Sequence, residues 1–213
     1  MTQIIETKTQ YGFYFDPGKC NGCKACHIAC KDKFDANLGV IPRRVYEYIG
    51  GGFVEGTNNT VTCNTFGYYI SISCNHCDNP VCVKACPTGA MHKRREDGFV
   101  HVAEDLCIGC GSCARACPYD APQLDPIRKV MIKCDGCFER VSEGKKPICV
   151  AGCTQKALQF DDIEVLRGKY GNNSSIAPLP ESGITEPNLI IQSTTITKPS
   201  GSNEGKIENL NEV

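Results

Sequence analysis

Short apolar runs, each placed directly before a group of cysteines, dominate the hydrophobic pattern of this chain. Tyr11–Phe15 and Phe66–Ser73 alternate in the way that half-buried strands do. Residues 99–102, which follow an Asp–Gly turn signal, and residues 130–133 are shorter runs rich in strand-forming residues. The pattern therefore predicts four strands, each leading into a cysteine loop.

Helical segments are predicted after two of these loops. Ala25–Lys33 forms a short helix with Cys30 on its inward side, and residues 150–156 form the helix that carries Cys153. Residues 34–60 are rich in Gly, Pro and Asn, which predicts a loop excursion with a hairpin around residues 44–49. The predicted fold class is α+β with a high loop content.

The segment from about Gly171 to Val213 differs in composition from the rest of the sequence. It is rich in Pro, Ser, Thr and Asn and has one apolar island, Leu189–Ile191. A disordered tail is one interpretation of such a composition. An extended arm that lies on a partner subunit is favoured, because an isolated apolar island suits docking better than free solution.

The amino-acid composition indicates that cysteine chemistry, more than a hydrophobic core, organises this protein. The 213 residues include 17 cysteines and no Trp, so the apolar core is thin without them. The net charge of −1 provides no global field for nucleic acid or anionic lipid. No apolar run approaches the ~20 residues of a membrane span, and no signal peptide is visible, so we expect synthesis in the cytoplasm.

Sixteen of the seventeen cysteines fall into four groups of four, and Cys63 is left over. Group one is Cys20, Cys23, Cys26 and Cys30, and group two is Cys74, Cys77, Cys82 and Cys86. Group three is Cys107, Cys110, Cys113 and Cys117, and group four is Cys134, Cys137, Cys149 and Cys153. Groups one and three share the spacing C-x2-C-x2-C-x3-C, of which group two is a variant and group four a stretched form.

This spacing is typical of iron–sulfur ligation. Three thiolates on a tight loop can hold three irons of one cubane, and the fourth reaches the neighbouring cluster, as in two-cluster ferredoxins. A tetrahedral zinc site needs two CxxC pairs and has no use for the longer run. The odd cysteine count and the missing export signal argue against disulfides. Sixteen ligands predict four [4Fe–4S] clusters.

Cross-ligation couples the groups two by two and so predicts the domain organisation. Groups two and three are adjacent and form a ferredoxin-like module at residues 63–127. Groups one and four form the other module, from residues 10–33 plus 130–165, into which the first is inserted. Residues 34–62 are the loop excursion and residues 171–213 the extended C-terminal arm.

The remaining polar residues have less specific interpretations than the four groups. His76 is interpreted as a packing residue near the cluster, and Cys63 as a buried or semi-exposed free thiol. The basic run Lys93, Arg94 and Arg95 is either a solvated face or a set of cations that raises cluster potentials. No nucleotide-binding, metalloprotease or triad motif is present. With every cluster closed by four cysteines, we expect no catalytic site in this chain.

Several stretches resemble a known family: YGFYFDPGKCNGCKACHIACKD, YYISISCNHCDNPVC, GAMHKRREDGFV, CIGCGSCARACPYDAPQ and KCDGCFERVSEGKKPICV. They look like the iron–sulfur electron-transfer subunit of bacterial dimethyl sulfoxide reductase, over roughly residues 11–191. That family belongs to the wider family of four-cluster beta subunits of molybdopterin oxidoreductases. The four-group cysteine layout is specific to the wider family, and the stretches between the cysteines narrow the resemblance to sulfoxide and N-oxide reductases.

The resemblance implies a role in anaerobic respiration. Such a subunit passes electrons from a quinol-oxidising integral membrane anchor to a molybdopterin-containing catalytic subunit that reduces dimethyl sulfoxide and related S- and N-oxides. Export in the folded state, together with the catalytic subunit, would place it on the periplasmic face of the membrane. One alternative function is the same electron-transfer role in another molybdenum enzyme, such as formate dehydrogenase or polysulfide or tetrathionate reductase. Another alternative is a polyferredoxin that diffuses freely as an electron carrier.

The ferredoxin rule and the family layout together imply how the ligands are shared. The expected sets are Cys20, Cys23 and Cys26 with Cys153; Cys134, Cys137 and Cys149 with Cys30; Cys74, Cys77 and Cys82 with Cys117; and Cys107, Cys110 and Cys113 with Cys86. In nitrate reductase relatives the residue at the position of Cys113 is replaced and that cluster loses an iron. Because Cys113 is present here, four complete cubanes are expected.

Overall fold

The computed structural model describes residues 8–213 and consists of short strands and helices joined by many turns. The strands are β1 (Tyr11–Phe15), β2 (Arg43–Gly50), β3 (Phe53–Glu55), β4 (Val61–Cys63), β5 (Phe66–Ser73), β6 (Met91–Lys93), β7 (Val100–Val102), β8 (Gln123–Leu124), β9 (Met131–Ile132), β10 (Leu158–Asp162), β11 (Leu189–Ile191) and β12 (Gly205–Ile207). The helices are α1 (Ala25–Lys33), α2 (Val81–Lys84), α3 (Ser112–Ala116), α4 (Phe138–Ser142), α5 (Ile148–Ala151) and α6 (Ile163–Tyr170). Single helical turns lie at Thr57–Asn59, Glu104–Leu106, Ser182–Ile184 and Leu210–Glu212.

Strand β1 is the middle strand of a three-stranded sheet. It pairs antiparallel with β10 and parallel with β11, so that Phe13 lies opposite both Phe160 and Leu189. Because successive side chains of a strand point to opposite faces, Phe13 and Phe15 enter the main core while Tyr14 packs against α6. The strand that precedes group one is therefore held from both sides.

A second sheet has the order β12–β2–β5. Strands β2 and β5 pair antiparallel over eight residues, from Arg43 opposite Ser73 to Gly50 opposite Phe66. Their inward residues, among them Ile70 and Ile72, belong to the main core. The hairpin predicted around residues 44–49 is confirmed in part, because residues 43–50 form one strand of an antiparallel pair, but the partner strand β5 lies outside the predicted loop excursion of residues 34–62. Strands β3 and β4 add a small hairpin to the same segment.

The local predictions fare differently from one another. Strands β1 and β5 and helix α1 lie where they were predicted, while the runs at residues 99–102 and 130–133 are confirmed as the shorter strands β7 and β9. The helix predicted at residues 150–156 is misplaced: α5 covers Ile148–Ala151 and Cys153 follows it. Pro147 precedes the first turn, a favoured position for proline. Within residues 8–213, no helix is long and apolar enough to cross a membrane.

The C-terminal segment packs on the rest of its own chain. Its apolar island is strand β11, where Leu189 and Ile191 are buried in the main core and Ile190 in the smaller core beside α6. Further on, β12 pairs antiparallel with β2. Both interpretations offered for this segment need correction. It is ordered, and the island expected to dock on a partner subunit is used inside the chain itself, where β1 offers it an open edge.

Candidate iron–sulfur centres

The four cysteine loops share one backbone feature. In the first CxxC pair of each group, the second intervening residue lies in the left-handed region, at Gly22 (φ 71°), His76 (φ 47°), Gly109 (φ 65°) and Gly136 (φ 73°). A side chain would also collide with its surroundings at the three glycine positions, and at Gly109 the Cβ would collide with the Lys129 carbonyl oxygen. A Cβ at Gly22 would lie 2.5 Å from the ring of Tyr69, and one at Gly136 would lie 2.6 Å from the ring of Phe99. Glycine lets these loops turn tightly beneath the aromatic rings.

Three cavities are each lined by four cysteines that come from two different groups. We name them site 1 (Cys20, Cys23, Cys26 and Cys153), site 3 (Cys74, Cys77, Cys82 and Cys117) and site 4 (Cys86, Cys107, Cys110 and Cys113). The space not filled by atoms, including the part of it that is open to solvent, is about 310 Å³ in site 1, 350 Å³ in site 3 and 300 Å³ in site 4. Each combination joins three cysteines of one group to the last cysteine of another.

The remaining four cysteines gather between α1, α4 and α5 and are named site 2 (Cys30, Cys134, Cys137 and Cys149). All four are buried. Burial raises the pKa of the Cys30 thiol well above its ordinary value, and the nearby thiols of Cys134, Cys149 and Cys137 raise it further. Mutual influence of this kind places the four sulfur atoms close together in a region of low dielectric.

These sites have the donor set and the space that a cluster needs. A zinc ion would draw four ligand sulfurs to about 2.3 Å from one point, whereas sites 1, 3 and 4 enclose open cavities. Backbone amides donate to sulfur at Met91 (to Cys86), Met131 (to Cys107) and Gly136 (to Cys134), each at 3.4 Å. Such hydrogen bonds help to set cluster potentials. The cysteine sites therefore fit cubane clusters.

Several of the site thiols would not ionise readily on their own. Burial raises the pKa of Cys20 to about 11 and those of Cys77 and Cys137 to about 12. Metal ligation requires the thiolate form, so occupation of these sites must release protons. Metal binding at these sites therefore depends on pH, and it also stabilises the cysteine loops.

The sites adjoin one another in the order 1, 2, 3, 4. Sites 1 and 2 are joined through α1, which carries Cys26 and Cys30, and Cys134 of site 2 and Cys74 of site 3 belong to the same core cluster. Sites 3 and 4 are joined through α3, which carries Cys113 and is followed at once by Cys117. Neighbouring sites in this order thus share an element or a core cluster.

Exposure of the cysteines differs between the sites. Cys23 in site 1 and Cys110 in site 4 are exposed, whereas the other fourteen cysteines of the sites are buried or partly buried. Cys63 is exposed on β4, outside the four sites, so the expected free thiol is more open to solvent than predicted. Sites 1 and 4 therefore each have an exposed cysteine, whereas site 2 has only buried cysteines and site 3 has two partly buried ones.

His76 packs beneath site 3. Its Nδ1 accepts a hydrogen bond from the Val100 backbone amide at 3.0 Å, and its ring lies 4.8 Å from that of Phe99. Burial lowers the pKa of His76 well below its ordinary value, which keeps the ring neutral. The packing role predicted for this residue is confirmed.

The basic run of residues 93–95 was interpreted either as a solvated face or as a set of cations near a cluster, and its residues differ in this respect. Lys93 is buried, and its Nζ donates to the carbonyl oxygens of His76 at 3.1 Å and Cys77 at 2.9 Å and to Asp78 Oδ1 at 3.1 Å. It is therefore a cation against the loop of site 3. Arg95, by contrast, is exposed to solvent.

Two buried polar residues near the sites were not predicted from the sequence. Arg43 at the start of β2 lies between sites 1 and 2, and Asn188 just before β11 contacts the loop of site 3. Both are almost fully buried. The pair Arg43–Arg44 directly before an alternating run was the only available signal, because polar residues are usually expected at the surface.

Comparison with known proteins agrees with this geometry. A 4Fe-4S dicluster domain family matches residues 65–163, and a 4Fe-4S binding domain family matches residues 17–34. An anaerobic dimethyl sulfoxide reductase chain of Escherichia coli (strain K12) is 52% identical over 205 residues, which are 96% of this chain and 99% of the relative. The corresponding reductase chain of Haemophilus influenzae is 53% identical over 204 residues, with the same coverage. The protein belongs to this family of dimethyl sulfoxide reductase electron-transfer subunits.

Membership of this family confirms the resemblance found in the sequence. A polysulfide reductase chain of Wolinella succinogenes is 37% identical over 188 residues, covering 85% of this chain and 93% of the relative. The dimethyl sulfoxide reductase relatives and the 4Fe-4S domains identify this chain as an iron–sulfur electron-transfer subunit and not as a catalytic subunit.

Proposed function

We propose that sites 1 to 4 each hold one [4Fe–4S] cluster and that their sixteen cysteines supply all the ligands. A bound cluster accepts and donates single electrons at a potential that its surroundings set. The observation that carries this proposal is the gathering of four cysteines from two different groups at each site, with an exposed cysteine at sites 1 and 4. Two ferredoxin-like modules, one inserted in the other, account for the order of the sites, since each would hold two neighbouring sites.

Sites 1 and 4 suit two different partners. We assign site 1 to the side of a molybdopterin-containing catalytic subunit and site 4 to the side of a quinol-oxidising integral membrane anchor. Electrons then enter at site 4 and leave at site 1. A free carrier would need one exposed site for exchange, so an exposed cysteine at each of two sites favours a subunit held between partners.

The proposed substrate of the catalytic partner is dimethyl sulfoxide, together with related S- and N-oxides. Identity of 52–53% over 96% of the chain to dimethyl sulfoxide reductase relatives supports this choice over polysulfide, for which the relative is 37% identical. We place the protein at the membrane through its anchor, on the periplasmic face after export with the catalytic subunit.

The intact complex in its membrane provides the test. A quinol should reduce the chain's clusters, followed by electron paramagnetic resonance, and dimethyl sulfoxide should reoxidise them. Reoxidation by polysulfide but not by dimethyl sulfoxide would contradict the substrate assignment. Clusters that a dye reduces but a quinol does not would contradict the assigned membrane partner.

A further inference from the structure

Arg43 is a buried cation that no carboxylate neutralises in the described part of the chain. Its side chain is among the largest fully buried ones, and its Nη1 donates to the Ser71 carbonyl oxygen at 3.3 Å and to Ser71 Oγ at 3.1 Å. Nη2 donates to Ser73 Oγ at 2.8 Å, and the guanidinium lies 4.9 Å from the centre of the Phe13 ring. None of the ion pairs within residues 8–213 includes Arg43.

The adjacent residue shows how the same fold treats another buried arginine. Arg44 points away from Arg43 along the alternating strand, and its Nη1 forms an ion pair with Asp120 Oδ2 at 2.9 Å. An isolated buried charge is strongly unfavourable, whereas a paired one is tolerated. Since an arginine side chain stays protonated in proteins, Arg43 requires an anionic partner that the carboxylates do not provide.

Cysteines of two sites are the nearest sources of negative charge. Ser71 Oγ, which accepts from Arg43, lies 3.3 Å from Cys26 Sγ of site 1. Burial raises the pKa values of Cys26 and of the site 2 residues Cys134 and Cys149, and the Arg43 charge opposes the rise at each. In turn, burial alone would lower the pKa of Arg43, but the negative charge that these cysteines carry when ionised raises it overall.

We propose that Arg43 is a shared counter-charge for the clusters of sites 1 and 2 and raises the reduction potentials of both. The inference rests on the proposed function, because it requires clusters in those two sites. A cubane with four thiolate ligands is anionic, and each added electron makes it more so. A fixed cation in a region of low dielectric favours that electron. Arg43 is therefore a positioning residue that acts through the field at the clusters.

The test compares two substitutions of similar length that differ in charge, R43K and R43M, in the intact complex. The adjacent R44M variant is the matched control, since Arg44 is also buried but has its own carboxylate partner. Midpoint potentials of the four clusters are measured by redox titration with electron paramagnetic resonance. R43M should lower the midpoint potentials of the clusters in sites 1 and 2. The expected change is at least tenfold in the one-electron equilibrium constant of each cluster, which corresponds to about 59 mV. R43K and R44M should leave those two potentials near the wild-type values.

Each alternative outcome has a defined meaning. R43M with a full iron content and unchanged potentials would overturn the proposal. If R43M loses iron, R43K decides: retention of iron with wild-type potentials supports the counter-charge, and equal loss in both shows that only the shape of Arg43 is needed. Failure of the wild-type complex to show four clusters would instead reject the proposed function, so the two failures are distinguishable.

Discussion

The side-chain amide of Asn188 donates a hydrogen bond of 2.9 Å to the carbonyl oxygen of His76, 112 residues earlier in the chain. The same amide donates to Asp78 Oδ1 at 2.9 Å, and the Asn188 backbone amide donates to the Asn75 carbonyl oxygen at 3.0 Å. These contacts lie on the loop that carries Cys74 and Cys77. The C-terminal segment therefore holds the loop of site 3 in place.

Replacing this amide should weaken site 3. N188A removes one donor from the His76 carbonyl oxygen and one from Asp78, and both acceptors keep their hydrogen bond from Lys93. The expected loss is therefore that of the hydrogen bonds themselves, about 0.5–1.5 kcal/mol each. We expect the cluster absorbance of the variant to bleach at a lower temperature on heating, with site 3 lost first. N203A, at an exposed position of the same segment, is the control. Equal bleaching temperatures for N188A and the wild type would contradict this role.

Asp125 should stabilise the turn between β8 and β9, and the size of this stabilisation should not change with pH near neutrality. Burial would raise its pKa, but hydrogen bonds from the Arg128 amide, the Asn37 side chain and the Ile127 amide outweigh it and lower the pKa to about 2. A carboxyl whose pKa is lowered on folding contributes its full stabilisation above its unfolded pKa of about 4. That contribution is lost only as the pH falls from about 4 through 2.

D125N should therefore lower the temperature of cluster loss by the same amount at pH 6 and pH 8. Heating wild type and variant in parallel at both values measures the difference. A D125N effect that changes between these two pH values would show that another titrating group is responsible.

Iron content tests the proposed ligand sets. Anaerobically isolated protein should contain about 16 Fe per chain, four for each of four cubanes, and negligible zinc. C63S should keep that content, because Cys63 is exposed and lies outside the sites. C117S should reduce the signal of site 3, although Cys117 belongs to group three in the sequence. A wild-type iron content near 8 Fe per chain would show that one of the two modules holds no clusters, which would contradict the proposal.

Substitution at Cys113 tests the direction of electron flow. C113S should disturb the cluster of site 4 and leave a three-iron form with a raised potential, which holds its electron more tightly. Quinol-linked reduction of dimethyl sulfoxide should then fall far more than reduction by a dye that donates elsewhere. Iron content and co-purification with the partners must show intact assembly. Equal loss of both activities would contradict the position of site 4 at the quinol end.

Local pattern was sufficient for the elements that adjoin the cysteine loops. Strands β1 and β5 alternate clearly, and α1 follows directly from its loop. Strand β2 was predicted only as part of a short hairpin, because it begins with two arginines and ends at a run of glycines, both of which favour surface loop. Its arginines are buried only because β5 and the Asp120 turn supply partners for them. Those partners are distant in sequence.

The same limit applies to the surroundings of the candidate sites. Ligand spacing is local and the cysteine groups were recognisable, but a three-residue strand such as β11 has no distinctive pattern. Its pairing with β1 joins two segments that are far apart in the sequence and come together only in the folded protein. Asn188 and Arg43 were missed for a related reason, since nothing in the sequence distinguishes a buried polar residue from an exposed one.

The position of β1 between β10 and β11 has a consequence for translation. Sites 3 and 4 have all their cysteines once the ribosome has passed Cys117, whereas sites 1 and 2 wait for Cys149 and Cys153. Strand β1 precedes both of its neighbours, β10 and β11, by more than half of the length of the chain. The inserted module is thus the earliest part that cluster-delivery machinery could fill, and nascent β1 needs shielding until β10 and β11 have left the exit tunnel.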